Sequence, residues 1–206
     1  TVDVVHKNGG VFIADEVQPG FARTGQAFFG FARHGIVPDM ITMGKPMGNG
    51  IPISGLAAKE DVLAAFSDKL PYFNTFGGNP VSIAAAQAVL KYIKDENLQE
   101  HCKKAGGALL KALKEVQERH PESVGDVRGA GLFLGFEFVK NDGNKTPDKD
   151  MALNVIEMLR DEHILTSVIG HYGNILKLRP PMVFSENDID WFATSLDKCI
   201  TKLENK

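Results

Sequence analysis

The sequence predicts an α/β chain: a mixed, mostly parallel sheet followed by a small α+β module. Three observations predict it. Two short apolar runs, Val11 to Ala14 and Met40 to Met43, each stop at a charged or glycine-bounded polar group, the pattern of strands buried on both faces. Alanine- and leucine-rich helical spacing then dominates as far as Glu118. After Pro121, short strands alternate with helices and polar turns.

Taken in order, Val11 to Ala14 follows Gly9-Gly10 and ends in Asp15-Glu16. A glycine-rich loop runs from Gly20 through Gly25 to Gly30, and its Phe28, Phe29 and Phe31 read as packing or a subunit interface. Met40 to Met43 is the second strand and ends at Gly44-Lys45. Gly48, Asn49, Gly50 and Pro52 mark a turn before a third strand, Ile53 to Ala58. Glu60 to Phe66 has helical spacing. Pro80 suits a first helical turn, because its missing N–H has no partner there anyway, and Val81 to Ile93 reads as a well-buried helix. An amphipathic helix covers Leu98 to Glu118. Strands are predicted at Val124 to Arg128, Leu132 to Val139, Ile164 to Ser167 and Ile175 to Leu178, with helices at Lys149 to Glu162 and Glu186 to Leu203. The expected division is 1–97, part of a larger sheet domain, and 98–206, a small α+β domain.

Composition narrows the function classes. With 23 basic and 26 acidic residues the net charge is −3, which offers no concentrated basic face for nucleic acid. No apolar run reaches the ~18–20 residues that span a bilayer, so no membrane partner is expected. Cys102 and Cys199 lack CxxC spacing, which points to a reduced, cytoplasmic setting rather than a disulfide framework. The histidines, His171 in its glycine-rich loop included, show no metal-ligand spacing. The chain opens on Thr-Val-Asp-Val-Val-His, without Met, and runs within a few residues into a strand that reads as buried. It therefore reads as a fragment whose preceding residues are absent.

Asp15 and Lys45 both sit at predicted strand ends. In an open parallel sheet ligands bind beyond the carboxyl ends of the strands, so both could face one crevice. A structural ion pair, or two solvated side chains, is the plain alternative. The surrounding motifs favour the crevice. Asp15-Glu16-Val17-Gln18, Gly20-Phe21-Ala22-Arg23-Thr24-Gly25, Gly44-Lys45-Pro46-Met47-Gly48-Asn49-Gly50 and Asn74-Thr75-Phe76-Gly77-Gly78-Asn79-Pro80 occur in that order, with Leu178-Arg179-Pro180-Pro181 closing the chain. Together they resemble the class III (omega or ornithine-type) aminotransferases over essentially the whole length. The Gly-Lys-Pro-Met-Gly-Asn-Gly segment is similar to the branch holding the phosphoethanolamine and phosphohydroxylysine phospholyases.

The resemblance implies a pyridoxal-phosphate (PLP) transferase of fold type I, here the latter part of its large domain plus the small C-terminal domain. It implies that Lys45 forms the Schiff base with PLP; a lysine amine is nucleophilic once deprotonated and can then carry a proton. Asp15 would pair with the pyridine nitrogen, keeping the ring positive enough to act as an electron sink. Val17 would pack on the ring face and Gln18 would reach the phenolic oxygen. Thr75 would donate to the cofactor phosphate of the neighbouring subunit, making a homodimer the expected partner state. Arg179 would clamp a substrate carboxylate through a bidentate contact. Each has a plainer alternative: core for Val17, a loop side chain for Gln18, a helix cap for Thr75, a rim salt bridge for Arg179.

The implied reaction moves an amino group from an amine or amino acid to a keto acid. Two rivals stand beside it: a PLP phospholyase eliminating phosphate from a phosphorylated amine, and a non-catalytic chain that merely keeps the fold. In related enzymes the preceding half supplies a phosphate cup and a stacking aromatic. The isolated fragment is therefore expected to be inactive.

Overall fold

In the computed structural model, which describes residues 1–205, the chain divides into two units, Thr1–Gln99 and Glu100–Lys206.

The first unit is organised by three short strands. β1 (Ile13–Asp15) pairs in parallel with β2 (Met40–Met43), in the register Ile13–Met40, Ala14–Ile41 and Asp15–Thr42. β3 (Gly55–Ala58) pairs antiparallel with β2, so the sheet is mixed. One buried carboxylate locks the amino edge of β1 and β2. Asp39 accepts from the Phe12 N–H at 2.8 Å, from Lys59 Nζ at 2.7 Å and from His6 Nε2 at 2.7 Å. It thereby joins α1 (Val2–Lys7), the start of β1 and the end of β3. The Lys59 contact first, then the Phe12 N–H and His6, hold its carboxyl well below the ordinary carboxylate range.

One element is new here and two expectations change. The segment before β1 begins as the helix α1, its end marked by Gly9 at φ 71°. β1 is not buried on both faces: Ile13 is 51% exposed while Ala14 is buried, so the short strand covers one side only. The helix at 81–93, α3 (Pro80–Asp95), buries only Ser82, Ala86 and Ile93 along a narrow stripe. Small alanines give it helical propensity without an apolar face wide enough to bury all round. Its cap is Asn79, whose Oδ1 takes the Ser82 N–H at 3.0 Å. α2 (Glu60–Ser67) lies between them in sequence.

The second unit has a four-stranded antiparallel sheet, order β4 (Val124–Ala130), β5 (Phe133–Phe138), β7 (Ile175–Leu178), β6 (Ser167–Ile169). β5 alternates strictly, sending Leu134, Phe136 and Phe138 inward. Against them pack Leu109, Leu113 and Val116 of α4 (Leu98–Arg119), Ala152, Val155 and Leu159 of α5 (Lys149–Asp161), and Ile189, Phe192, Leu196 and Ile200 of α6 (Glu186–Glu204). The spacing of three, four or seven on each helix is one stripe per helix facing one core. β6 starts later than residue 164. The Ile164 N–H still bonds Leu159 O at 2.8 Å and His163 stands at φ 62°, so residues 163–164 finish α5 before pairing begins at Ser167. Cys102 and Cys199 are buried, and burial raises the Cys199 thiol.

Candidate active site

Side chains with chemistry gather at the carboxyl edge of β1 and β2, opposite the Asp39 anchor. Asp15 ends β1 with its side chain exposed, and two donors orient it. Its Oδ1 accepts from the Val17 N–H at 3.1 Å and from Thr42 Oγ1 at 3.2 Å. Thr42 is its register partner on β2, so parallel pairing itself places that hydroxyl beside the carboxylate. Thr42 escaped the sequence reading because neither its spacing nor its type is distinctive; only the register brings it to Asp15.

Lys45 lies two residues beyond the end of β2, exposed, in a single 3-10 turn, Lys45–Met47. Its backbone is left-handed at φ 37°, as is that of Asn49 at φ 46°. Such conformations cost ~1–3 kcal/mol in a non-glycine residue and gather at functional sites. The turn closes because Gly48 has no side chain: a Cβ there would lie 2.1 Å from Ile51 O. Val17 joins this cluster. Its Cγ2 would be 3.9 Å from a Cβ on Gly44, so the valine packs beside the backbone just before Lys45. Asp15, Val17 and Lys45 thus occupy one edge, and Gln18 follows half-buried in the next turn.

Thr75 stands in the exposed 70–78 segment, where Asn74 Oδ1 takes the N–H groups of Phe76 at 3.1 Å and Gly77 at 2.9 Å. It is not the cap of α3, since Asn79 performs that role. Arg179 belongs to the second unit and lays its guanidinium 4.1 Å from the Phe133 ring centroid, a cation–π contact. The Phe21, Phe28, Phe29 and Phe31 rings contact one another in sequence, tilted, edge-on and then stacked, with centroids 5.0 to 5.7 Å apart. Glu16, beside Asp15, is 2% exposed and accepts from the backbone N–H groups of Gly30 and Phe31.

The profile of the aminotransferase class-III family matches residues 2–200. The chain belongs to the class-III aminotransferase family. It is 44% identical over 200 residues to ethanolamine-phosphate phospho-lyase homolog 1 of Caenorhabditis elegans, covering 96% of this chain and 43% of that protein. It is 41% identical over 201 residues to alanine–glyoxylate aminotransferase 2 homolog 2, mitochondrial, of Arabidopsis thaliana, covering 98% of this chain and 42% of that one. Among solved structures it matches a phospholyase from Arthrobacter in complex with phosphoethanolamine, with TM-score 0.93, 38% identity, and coverage of 97% and 47%. The chain therefore spans less than half the length of these relatives. The fold is that of the type I PLP transferases, and PLP is the family's cofactor. The edge just described fits that group chemically: an oriented, exposed carboxylate suits a protonated ring nitrogen, and an exposed amine suits an aldehyde. No helix among the described residues is long and apolar enough to cross a membrane.

Proposed function

We propose that the protein carrying this chain is a PLP-dependent aminotransferase, moving an amino group from an amine or amino acid to a keto acid. The observation that carries the reading is the placement of Asp15 and Lys45 at the carboxyl ends of adjacent parallel strands, with Asp15 oriented by Val17 N and Thr42 Oγ1. Bound PLP supplies an electron sink for the bond broken at the amine-bearing carbon. Lys45 Nζ would hold the cofactor, and the same amine would take and return the proton of that carbon. Asp15 holds the proton on the ring nitrogen, and Val17 packs on the ring face. Gln18 donates to the phenolic oxygen, Thr75 to the phosphate, and Arg179 grips a substrate carboxylate. In this reading residues 1–97 belong to the cofactor-binding large domain and 98–206 form the small domain.

A homodimer is part of the proposal. Beside Thr75, Tyr72 is 72%, Phe73 86% and Phe76 81% exposed, an apolar run that a second copy would cover. Analytical ultracentrifugation tests it. The spacing of Cys102 and Cys199, without a CxxC pair, suits a reducing compartment such as the cytoplasm; the Arabidopsis relative is named as mitochondrial.

The test is a visible absorbance band on adding PLP, retained through desalting and abolished by Lys45→Ala. An unchanged band in that variant refutes the role of Lys45. A second reading, PLP-dependent phosphate elimination from a phosphorylated amine, is favoured by the phospholyase likenesses. Inorganic phosphate release from phosphoethanolamine, against keto-acid consumption with alanine as donor, separates the two.

A further inference from the structure

Glu16 is held at four atoms. Its N–H donates to Thr42 O at 2.9 Å, extending the β1–β2 ladder by one bond, and its carbonyl accepts from Gly20 N at 3.2 Å. Its carboxylate takes the Gly30 N–H on Oε2 and the Phe31 N–H on Oε1, both at 2.7 Å. These two amides open the 3-10 turn Gly30–His34, so the carboxylate caps that turn from below. Successive side chains along a strand point to opposite faces, and burial follows that rule: Asp15 is exposed and Glu16 only 2% exposed. The packing leaves no slack. A Cβ on Gly20 would lie 2.6 Å from Glu16 O, and one on Gly30 would lie 2.7 Å from Pro19 Cβ and 3.3 Å from Glu16 Oε2. The loop between carries Phe21 at φ 59° and Ala22 at φ 67°, conformations that persist only where neighbours enforce them.

We propose that Glu16 is a positioning residue for the cofactor edge: by latching the 20–30 loop to the end of β1, it fixes where the Asp15 carboxylate and the Val17 side chain stand. The inference rests on the reading that Asp15 meets the pyridine nitrogen. A buried carboxylate shared between two amides is a stiff joint, because leaving that carboxylate without its donors is costly. Asp15 precedes this joint by one residue and Val17 follows it by one, so rotation of the strand end at residue 16 turns both. Glu16 touches no reacting atom in this account.

The experiment uses the PLP-loaded protein and compares Glu16→Gln, Gly30→Ala and Asp15→Asn. Glutamine keeps the shape but offers an NH₂ to an N–H. Gly30→Ala disturbs the latch from the loop side and leaves Glu16 chemically intact. Cofactor affinity is read by titrating the cofactor-free protein with PLP, and the pH at which the visible band changes is read on the loaded protein. Glu16→Gln is expected to weaken PLP about tenfold. It should also move the band's midpoint upward, as Asp15→Asn does, because a ring nitrogen held less firmly in its protonated form puts less positive charge beside the titrating group. Gly30→Ala should move both in the same direction by less. If Asp15→Asn moves the midpoint while Glu16→Gln and Gly30→Ala leave midpoint and affinity at wild-type values, the latch is refuted and the Asp15 role stands. If Asp15→Asn moves nothing, the Asp15 role fails and the inference falls with it.

Discussion

Adjacent glycines in α4 should respond to the same substitution with opposite signs. Helix propensity alone says that alanine at either position stabilises by about 1 kcal/mol. At Gly107 nothing lies within 4 Å of an added Cβ and the residue is exposed, so Gly107→Ala should realise ~0.5–1 kcal/mol. At Gly106 the Cβ would meet Gly131 C at 2.2 Å, O at 2.3 Å and Cα at 2.4 Å. Those are backbone atoms of the tight turn between β4 and β5, so no side chain can swing away. Carbon contacts settle near ~3.5–4 Å, and the helix must therefore withdraw by about an ångström, opening gaps around Cys102, Ala105 and Leu109, which face the same core. Overpacking of this kind costs roughly 1–3 kcal/mol. The rigid backbone puts Gly106 at the upper end, leaving Gly106→Ala less stable by about 2 kcal/mol after the propensity gain is subtracted. At about 4–8 °C per kcal/mol for a unit of this size, the variant should melt roughly 10 °C lower, and Gly107→Ala a few degrees higher. Urea and thermal unfolding followed by circular dichroism measure both. A Gly106→Ala protein as stable as wild type, or two variants shifting in the same direction, would show that α4 does not rest on the Gly131 backbone.

Three further outcomes are expected. Lys59, the Phe12 N–H and His6 depress the Asp39 carboxyl; its stabilising effect is therefore complete above the unfolded carboxylate value, ~3.9, and disappears as pH falls through the lower folded value. Asp39→Asn should be less stable at pH 7 and lose less stability than wild type between pH 5 and pH 2; parallel acid-unfolding curves would contradict this. Thr42→Val removes the exposed Oγ1 contact to Asp15 and should weaken PLP about two- to fivefold with melting unchanged; an unaltered PLP titration would count against Thr42 as an orienting donor. Ser185 and Asp188 cap α6 reciprocally, so Ser185→Ala should lower stability by about 1 kcal/mol, and an unmoved urea midpoint would rule that out.

Periodicity located most of the fold. Met40 to Met43 and Ile175 to Leu178 are the strands their apolar runs predicted, and α6 begins where Ser185-Glu-Asn-Asp188 supplies a reciprocal cap. The errors arose where local pattern competed with pairing. Ile164-Leu165-Thr166 has strand character, yet His163 turns left-handed and returns Ile164 to α5. For Val2 to Val5, three β-branched residues among four, the sequence suggested no element; they form a helix whose His6 is held by Asp39. In the candidate site, the strand-end positions of Asp15 and Lys45 were legible because a charge at or just beyond the end of an apolar run stands out. Glu16 and Thr42 were not, since their significance lies in a loop 14 residues ahead and a strand 27 residues away.

The three strands of the first unit divide the work between their two ends. At the amino edge of β1 and β2, Asp39 is buried and occupied by three donors on its two carboxylate oxygens. It can stiffen the sheet, but has little left to offer a ligand. At the carboxyl edge, Val17 N and Thr42 Oγ1 both donate to Asp15 Oδ1, the side chain is exposed, and the neighbouring turn holds Lys45 in a strained backbone. A carboxylate oriented by two weak, exposed contacts adds little to folding. The arrangement is better explained by what approaches from solvent than by what it holds in place. On the proposed reading, stability and cofactor affinity would be separable properties of the same strands, with Glu16, buried beneath the open edge, joining them.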